Sequence, residues 1–195
     1  MVDPIEVAAA AFGIASVYLS ARQNVWNWPL GIINVALYII VFYGAKLYAD
    51  MGLQAVYVVL AAYGWWHWLH GGANHGTLPV SRVPPREIIL LAIAFLAATA
   101  ALSTLLARTT DASLPLADSA LTAASLVAQY MMTRKYVECW LVWIVADAAY
   151  VALFVYKALV PTAALYLVFT VLAIVGWRQW RAALREQSAV EPAIA

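Results

Sequence analysis

Shifted by 112 residues and laid on itself, the chain matches without a gap. Tyr18 falls on Tyr130, Arg22 on Arg134, Trp28 on Trp140, Tyr38 on Tyr150, Phe42 on Phe154 and Leu53 on Leu165. Gly64, Trp65 and Trp68 fall on Gly176, Trp177 and Trp180. Six of the nine tryptophans therefore fall into three pairs, where random placement gives roughly 0.2 pairs. Whatever the first copy folds into, the second must fold into as well. Duplicated units of this kind build many membrane carriers, with the substrate held between the copies.

The copies consist of apolar segments. Seven stretches, near 5–21, 26–43, 47–68, 87–107, 115–133, 137–156 and 159–179, approach or reach the length of a bilayer span, which takes about 20 residues. Apolar residues make up 66% of the chain, charged residues 11%, and mean hydropathy is +0.82. A soluble domain holds about 45–50% and 25%. The runs are Ala- and Leu-rich and lack the alternation of a barrel wall, so they predict helices. Pro29 and Pro161 sit in the first turns of the second and last segments, where a missing N–H costs little. Gly71-Gly72-Ala73-Asn74-His75-Gly76, Pro79 and Pro84-Pro85 mark the longest linker. A net charge of +1 gives no electrostatic case for nucleic acid. A single cysteine, Cys139, allows no internal disulfide. The N-terminus lacks the basic region of a cleavable signal, so Ile5 onward is expected to stay in the mature chain.

The repeat maps onto these segments as three helices, one connector and three helices. The connector near 87–107 has no counterpart, and one extra span makes the two units parallel rather than inverted. The expected divisions are 1–69 for the first unit, 70–112 for linker and connector, 113–181 for the second unit, and 182–195 for a cytoplasmic tail, unstructured after Arg185. Loop charge sets the orientation. Arg22, Arg82, Arg86, Arg134, Lys135, Arg178, Arg181 and Arg185 fall on one side, and Lys46, Arg108 and Lys157 on the other. The richer side is expected to be cytoplasmic, with the N-terminus out and the C-terminus in.

Polar side chains at membrane depth are costly and face a cavity or another helix. Asp147 lies near the middle of the sixth segment, and Trp140, Trp143, Tyr150 and Phe154 share its helical face. Asn34 lies near the middle of the second, with Asn27, Gly31 and Tyr38 on its face. The 112 shift carries Asn34 to Ala146, beside Asp147, so the two units place polar groups at matching depth. Asp50, Gln54, Tyr57, Ala61, Trp65 and Trp68 form a stripe on the third segment. The seventh repeats it as Thr162, Tyr166, Phe169, Ala173, Trp177 and Trp180. Gln129 and Tyr130 add to it from the fifth. Such a site has ring walls that stack on a heterocycle or hold a cation. Its amides both donate and accept, and its single acid favours a cationic ligand. The spans offer no arginine for a phosphate.

Other residues carry plainer expectations. Trp68, Trp177 and Trp180 read as anchors at the membrane interface. His67, His70 and His75 lack a carboxylate at ligand spacing, so no metal or cofactor is expected. Cys139 reads as an interfacial residue without chemistry. A light receptor needs a lysine within the last helix, and 159–179 has none. An intramembrane enzyme needs a partner acid or base at the depth of Asp147, and none is visible.

The stretch from Trp26-Asn27-Trp28-Pro29 through Gly31 and Asn34, then Lys46-Leu47-Tyr48-Ala49-Asp50, Leu53-Gln54-Ala55-Val56-Tyr57 and Tyr63-Gly64-Trp65-Trp66-His67-Trp68, resembles the nicotinamide riboside transporter (PnuC) family. Trp140-Leu141-Val142-Trp143, Asp147, Tyr156-Lys157 and Gly176-Trp177-Arg178-Gln179-Trp180 agree. The resemblance implies an all-α membrane protein with seven spans in a three-plus-one-plus-three, SWEET-like arrangement of parallel repeats, assembled as a homotrimer in the bacterial inner membrane. It implies facilitated diffusion of unphosphorylated nicotinamide riboside, or a related vitamin such as thiamine, trapped afterwards by a cytoplasmic kinase. The substrate contacts it implies are Asn34, Gln54, Tyr57, Trp140, Trp143, Asp147 and Tyr150. Lys46, Trp65, Gln129 and Tyr166 are further candidates. Tyr166 stands where the first unit has Gln54, so the two halves are expected to bind differently. The linker 70–86 has no match in that pattern.

Overall fold

A computed structural model describes residues 4–44, 48–109, 114–156 and 158–190. Seven α-helices follow one another: α1 (Pro4–Ala21), α2 (Asn27–Gly44), α3 (Tyr48–His70), α4 (Pro85–Thr109), α5 (Pro115–Thr133), α6 (Cys139–Tyr156) and α7 (Val160–Val190). Prolines open five of them: Pro4, Pro29, Pro85, Pro115 and Pro161 all lie in a first turn, where the ring fixes φ and no hydrogen bond is forfeited. Among the described residues there is no strand, only a single parallel bridge between Ser81 and Tyr136. Among the described residues five helices, α1, α2, α4, α6 and α7, are long and apolar enough to cross a membrane. The less apolar pair, α3 and α5, pack against each other and carry Gln54, Ser125 and Gln129 inward.

Consecutive helices pack within each triplet, α1 on α2 on α3 and α5 on α6 on α7. The triplets then interlock, α3 against α5 and α7 against α1, with α4 outside along α5. α1 and α5 end alike without a glycine. Gln23 and Lys135 take φ of 55° and 57°. The amides of Asn24 and Tyr136 return to Leu19 and Met131, at 2.9 and 3.1 Å. This is the αL closure that satisfies the last helical carbonyls.

One expectation needs correction. α7 does not stop near 179 but continues to Val190, so much of the expected tail is helical. Its reason is apolar spacing: Leu184 follows Trp177 and Trp180 on one face and packs against the buried core. The linker 70–86 and the start of α4 are tied to the α5–α6 turn. A single 3-10 turn, Ala73–His75, leads to buried Val80 and Val83. The α5–α6 turn then holds it with three side chains. Lys135 Nζ donates to the Leu78 carbonyl at 2.8 Å. Glu138 Oε2 accepts from the Val83 amide at 3.0 Å. The Tyr136 hydroxyl donates to Glu87 at 2.9 Å.

Candidate functional site

A cavity of about 450 Å³ lies between the triplets, walled by α1, α2, α3, α5, α6 and α7. Asn34, Gln54, Tyr57, Trp140, Trp143, Asp147 and Tyr150 all line it, and so do Gln129 and Tyr166. The spacing that put Trp140, Trp143, Tyr150 and Phe154 on one face with Asp147 brings all five to the cavity. The same holds for Asn27, Gly31, Asn34 and Tyr38. Trp65 is not brought there; it is 38% exposed on the outer face of α3. Lys46 lies outside the described residues.

The second-half wall is aromatic. Tyr166 packs against Tyr150 at 4.7 Å between ring centres and against Phe154 at 5.1 Å. Phe169 meets Tyr166 edge-on. Tyr57 of α3, Tyr150 of α6 and Ser125 of α5 line the same cavity. Asp147 is 4% exposed and lines the cavity, and among the described residues no hydrogen bond or ion pair to its carboxylate is found. Among those residues no lysine, arginine or histidine lines the cavity.

The first-half wall is a hydrogen-bonded seam between α1 and α2. Ser16 Oγ donates to the Asn27 carbonyl at 2.8 Å, and Ser20 Oγ to the Ser16 carbonyl at 3.0 Å. Asn27 Nδ2 donates to Ser20 Oγ at 2.8 Å, and Asn34 Nδ2 to the Ala9 carbonyl at 2.6 Å. Two glycines permit this closeness: a Cβ on Gly13 would stand 3.0 Å from Asn34 Nδ2, and one on Gly31 3.1 Å from Ser16 Oγ. Gly13, Ser16 and Ser20 on α1 join the lining without having been among the expected site residues. The available signal was their spacing, small residues at intervals of three and four in an Ala-rich helix.

One end of the cavity is floored by tryptophan. Trp28 meets Trp68 edge-on at 5.3 Å, Trp68 lies 5.8 Å from Trp180, and Trp140 meets Trp180 edge-on at 5.3 Å. Trp68 Nε1 donates to the Met132 carbonyl at 3.0 Å and Trp180 Nε1 to the Ser20 carbonyl at 3.1 Å. Each bond runs from one half to the other, and donors and acceptors alike are 112 positions apart. Gly64 and Gly176 sit against the rings of Trp28 and Trp140, where no Cβ fits. The expected interfacial role of Trp68 and Trp180 is therefore wrong: both are buried, because each packs edge-on against the socketed ring of its own half, Trp28 or Trp140, and donates its indole hydrogen to the other half. Trp177 is partly buried with Arg181 over its face at 5.1 Å. Exposed Trp26 and Trp66 suit the interface better.

Cys139 is also not interfacial; it is wholly buried beside Met132. Among the described residues no group of three His, Cys, Asp or Glu is placed to hold a metal ion. His67 instead lies 3.4 Å from Arg134 and stacks on Tyr63.

Seven helices, several apolar enough to cross a bilayer, around a ring-walled cavity define a multi-pass membrane protein made to hold a small molecule. The sequence matches the family described as nicotinamide mononucleotide transporter over residues 3–182, and the chain belongs to that family. It is 28% identical to the nicotinamide riboside transporter PnuC of Escherichia coli (strain K12), over 94% of this chain and 87% of that protein. It is also 28% identical to the riboflavin/roseoflavin transporter RibM of Streptomyces davaonensis, over 86% and 80% of the two chains. Its fold is similar to that in the crystal structure of the vitamin B3 transporter PnuC, with a TM-score of 0.74 and 24% identity over 93% of this chain and 82% of that one. These relatives are named as transporters, which points away from catalysis.

Proposed function

We infer that the chain carries nicotinamide riboside, or a closely related unphosphorylated cationic vitamin, across the bacterial inner membrane. The observation that carries this reading is Asp147. A carboxylate at membrane depth that faces a cavity without a protein partner is costly, and a cationic ring lodged among Trp143, Tyr150 and Tyr166 supplies the missing charge. A phosphate finds no cation among the described lining residues, which favours the dephosphorylated form over a mononucleotide.

In this reading the triplets are parallel repeats, supported by the contacts that recur 112 positions apart. They rock about the central cavity in alternating access. The tryptophan floor closes the end that bears Arg22, Arg82, Arg134 and Arg178, the cytoplasmic end by loop charge. Downhill movement with capture by a cytoplasmic kinase needs no energy source in this chain. A homotrimer belongs to the same reading; the outer face of α4, with Ile89, Ile93 and Leu96 exposed, is apolar enough to meet lipid or a neighbouring copy.

The similarity to a riboflavin transporter makes a neutral flavin the rival substrate, with thiamine a second cation. Binding to purified wild type and Asp147→Asn, measured by calorimetry with nicotinamide riboside, thiamine and riboflavin, separates them. Asp147→Asn should weaken both cations about tenfold or more and leave riboflavin within about twofold. Equal losses for cation and flavin would remove the charge contact from the reading.

A further inference from the structure

Two segments lie outside the repeat. The linker after α3 has no copy in the second half. The 112 shift carries His70, where α3 ends, to Ala182, yet α7 runs on to Val190. The match between the halves accounts for neither segment, and the fold brings the two together. They wall a second cleft, of about 470 Å³, formed by Arg82 of the linker and by Leu184, Arg185, Ser188 and Ala189 of the α7 extension.

Both walls are fixed. Arg82 stands between two anchored neighbours. The Ser81 amide donates to the Lys135 carbonyl at 3.2 Å, and the Ser81 carbonyl accepts from the Val137 amide at 2.9 Å. The Val83 amide is held by Glu138. Val80 and Val83 are buried, and Arg82 is left exposed. On the other wall Leu184 packs against the core, which fixes the rotation of the extension that carries Arg185. Ser188 spends its hydroxyl hydrogen on the Leu184 carbonyl at 3.0 Å, so the side-chain donors left in the cleft are the two guanidiniums. Among the described residues no hydrogen bond or ion pair to either is found. Glu138 is engaged by the Val83 amide, and Glu186 is not among the lining residues.

Two guanidiniums on fixed backbone, with no acid between them, match a phosphate, whose oxygens accept from forked N–H donors. Depth separates a lipid headgroup from a soluble molecule. The first charge on α7 is Arg178. Arg185 and Ser188 follow it by about 10 and 15 Å of helical rise, whereas the headgroup layer is about 5–8 Å deep. The cleft therefore opens beyond the headgroups, into water. Its volume falls within the range of small-molecule sites, about 300–1,000 Å³.

We propose that this cleft is a second binding site, separate from the central cavity, for a soluble phosphate monoester on the cytoplasmic side, with Arg82 and Arg185 holding the phosphate. The anion site stands on the geometry alone. Its placement on the cytoplasmic side, and its match to the phosphorylated cargo formed there by the trapping step, rest on the transport reading above.

The test is calorimetric titration of nicotinamide mononucleotide into wild type, Arg82→Gln and Arg185→Gln in phosphatidylcholine nanodiscs, with nicotinamide riboside as the second probe. Wild type should bind the mononucleotide even when saturated with the riboside, and inorganic phosphate should compete for it. Each substitution should weaken the mononucleotide about tenfold or more. The riboside should bind all three proteins alike, which also shows that the variants are folded. No binding of the mononucleotide to wild type, equal affinity in both variants, or its displacement by the riboside overturns the inference, the last by placing it in the central cavity. Discs containing phosphatidylglycerol should leave the mononucleotide affinity unchanged. A loss there confined to wild type would give the cleft to a lipid headgroup and overturn the soluble ligand. If the riboside fails to bind while the mononucleotide still depends on both arginines, the cargo reading falls and the anion site stands.

Discussion

Lys135 carries a charge where the fold offers no acid to it. The side chain is buried, its Nζ lies 4.7 Å from the Trp68 ring centre, and it donates to the Leu78 carbonyl. The nearby acids are engaged elsewhere, Glu138 with the Val83 amide and Glu87 with the Tyr136 hydroxyl. Burial pushes its pKa down from 10.5 to about 8. Below about pH 8 folded and unfolded chains both hold the proton, and the full cost of burying the charge applies. Between about pH 8 and 10.5 only the unfolded chain keeps it, so stability rises with pH. Unfolding midpoints in detergent at stepwise pH should therefore show wild type gaining on Lys135→Met between pH 8 and 10. A constant gap would mean the ammonium reaches water. None of this was legible in the sequence, where Lys135 beside Arg134 reads as an ordinary loop charge.

Helical elements were legible because their apolar runs and proline starts are local signals. The cavity faces of α2 and α6 were legible because one polar residue mid-span, Asn34 or Asp147, fixes which side of a helix points inward. What escaped was anything decided by another helix. α7 outruns its apolar stretch because Leu184 finds the core. Trp68 and Trp180, at the ends of apolar runs, default to the interface until Gly64 and Gly176 are seen as sockets for Trp28 and Trp140. Those sockets predict that Gly64→Ala and Gly176→Ala each destabilise by about 1–3 kcal/mol. The new Cβ would fall 2.3 and 2.6 Å from ring carbons. Chemical unfolding followed by circular dichroism reads this. A neutral outcome at both positions would show that the rings have room to yield.

At the scale of the whole molecule, sidedness is open to labelling because the native thiol is out of reach. Cys139 is wholly buried, so a membrane-impermeant maleimide should leave the folded wild-type chain unmodified. A thiol placed at exposed Ser188 on the α7 extension should react in inside-out vesicles and not in right-side-out ones. The reverse pattern would invert the proposed topology. The basic residues that set that expectation do share one end of the fold: the Trp180 bond to Ser20 and the Lys135 bond to Leu78 gather the α1–α2 turn, the linker, the α5–α6 turn and the α7 extension there.

The four indoles beneath the cavity have an optical consequence. Rings 5.3 to 5.8 Å apart share absorbed light, and their emission moves to longer wavelength when water reaches them. Any separation of Trp68 from Trp180 during a transport cycle would admit water between the two halves. The chain's own ultraviolet fluorescence would then report that passage in real time, with no dye attached.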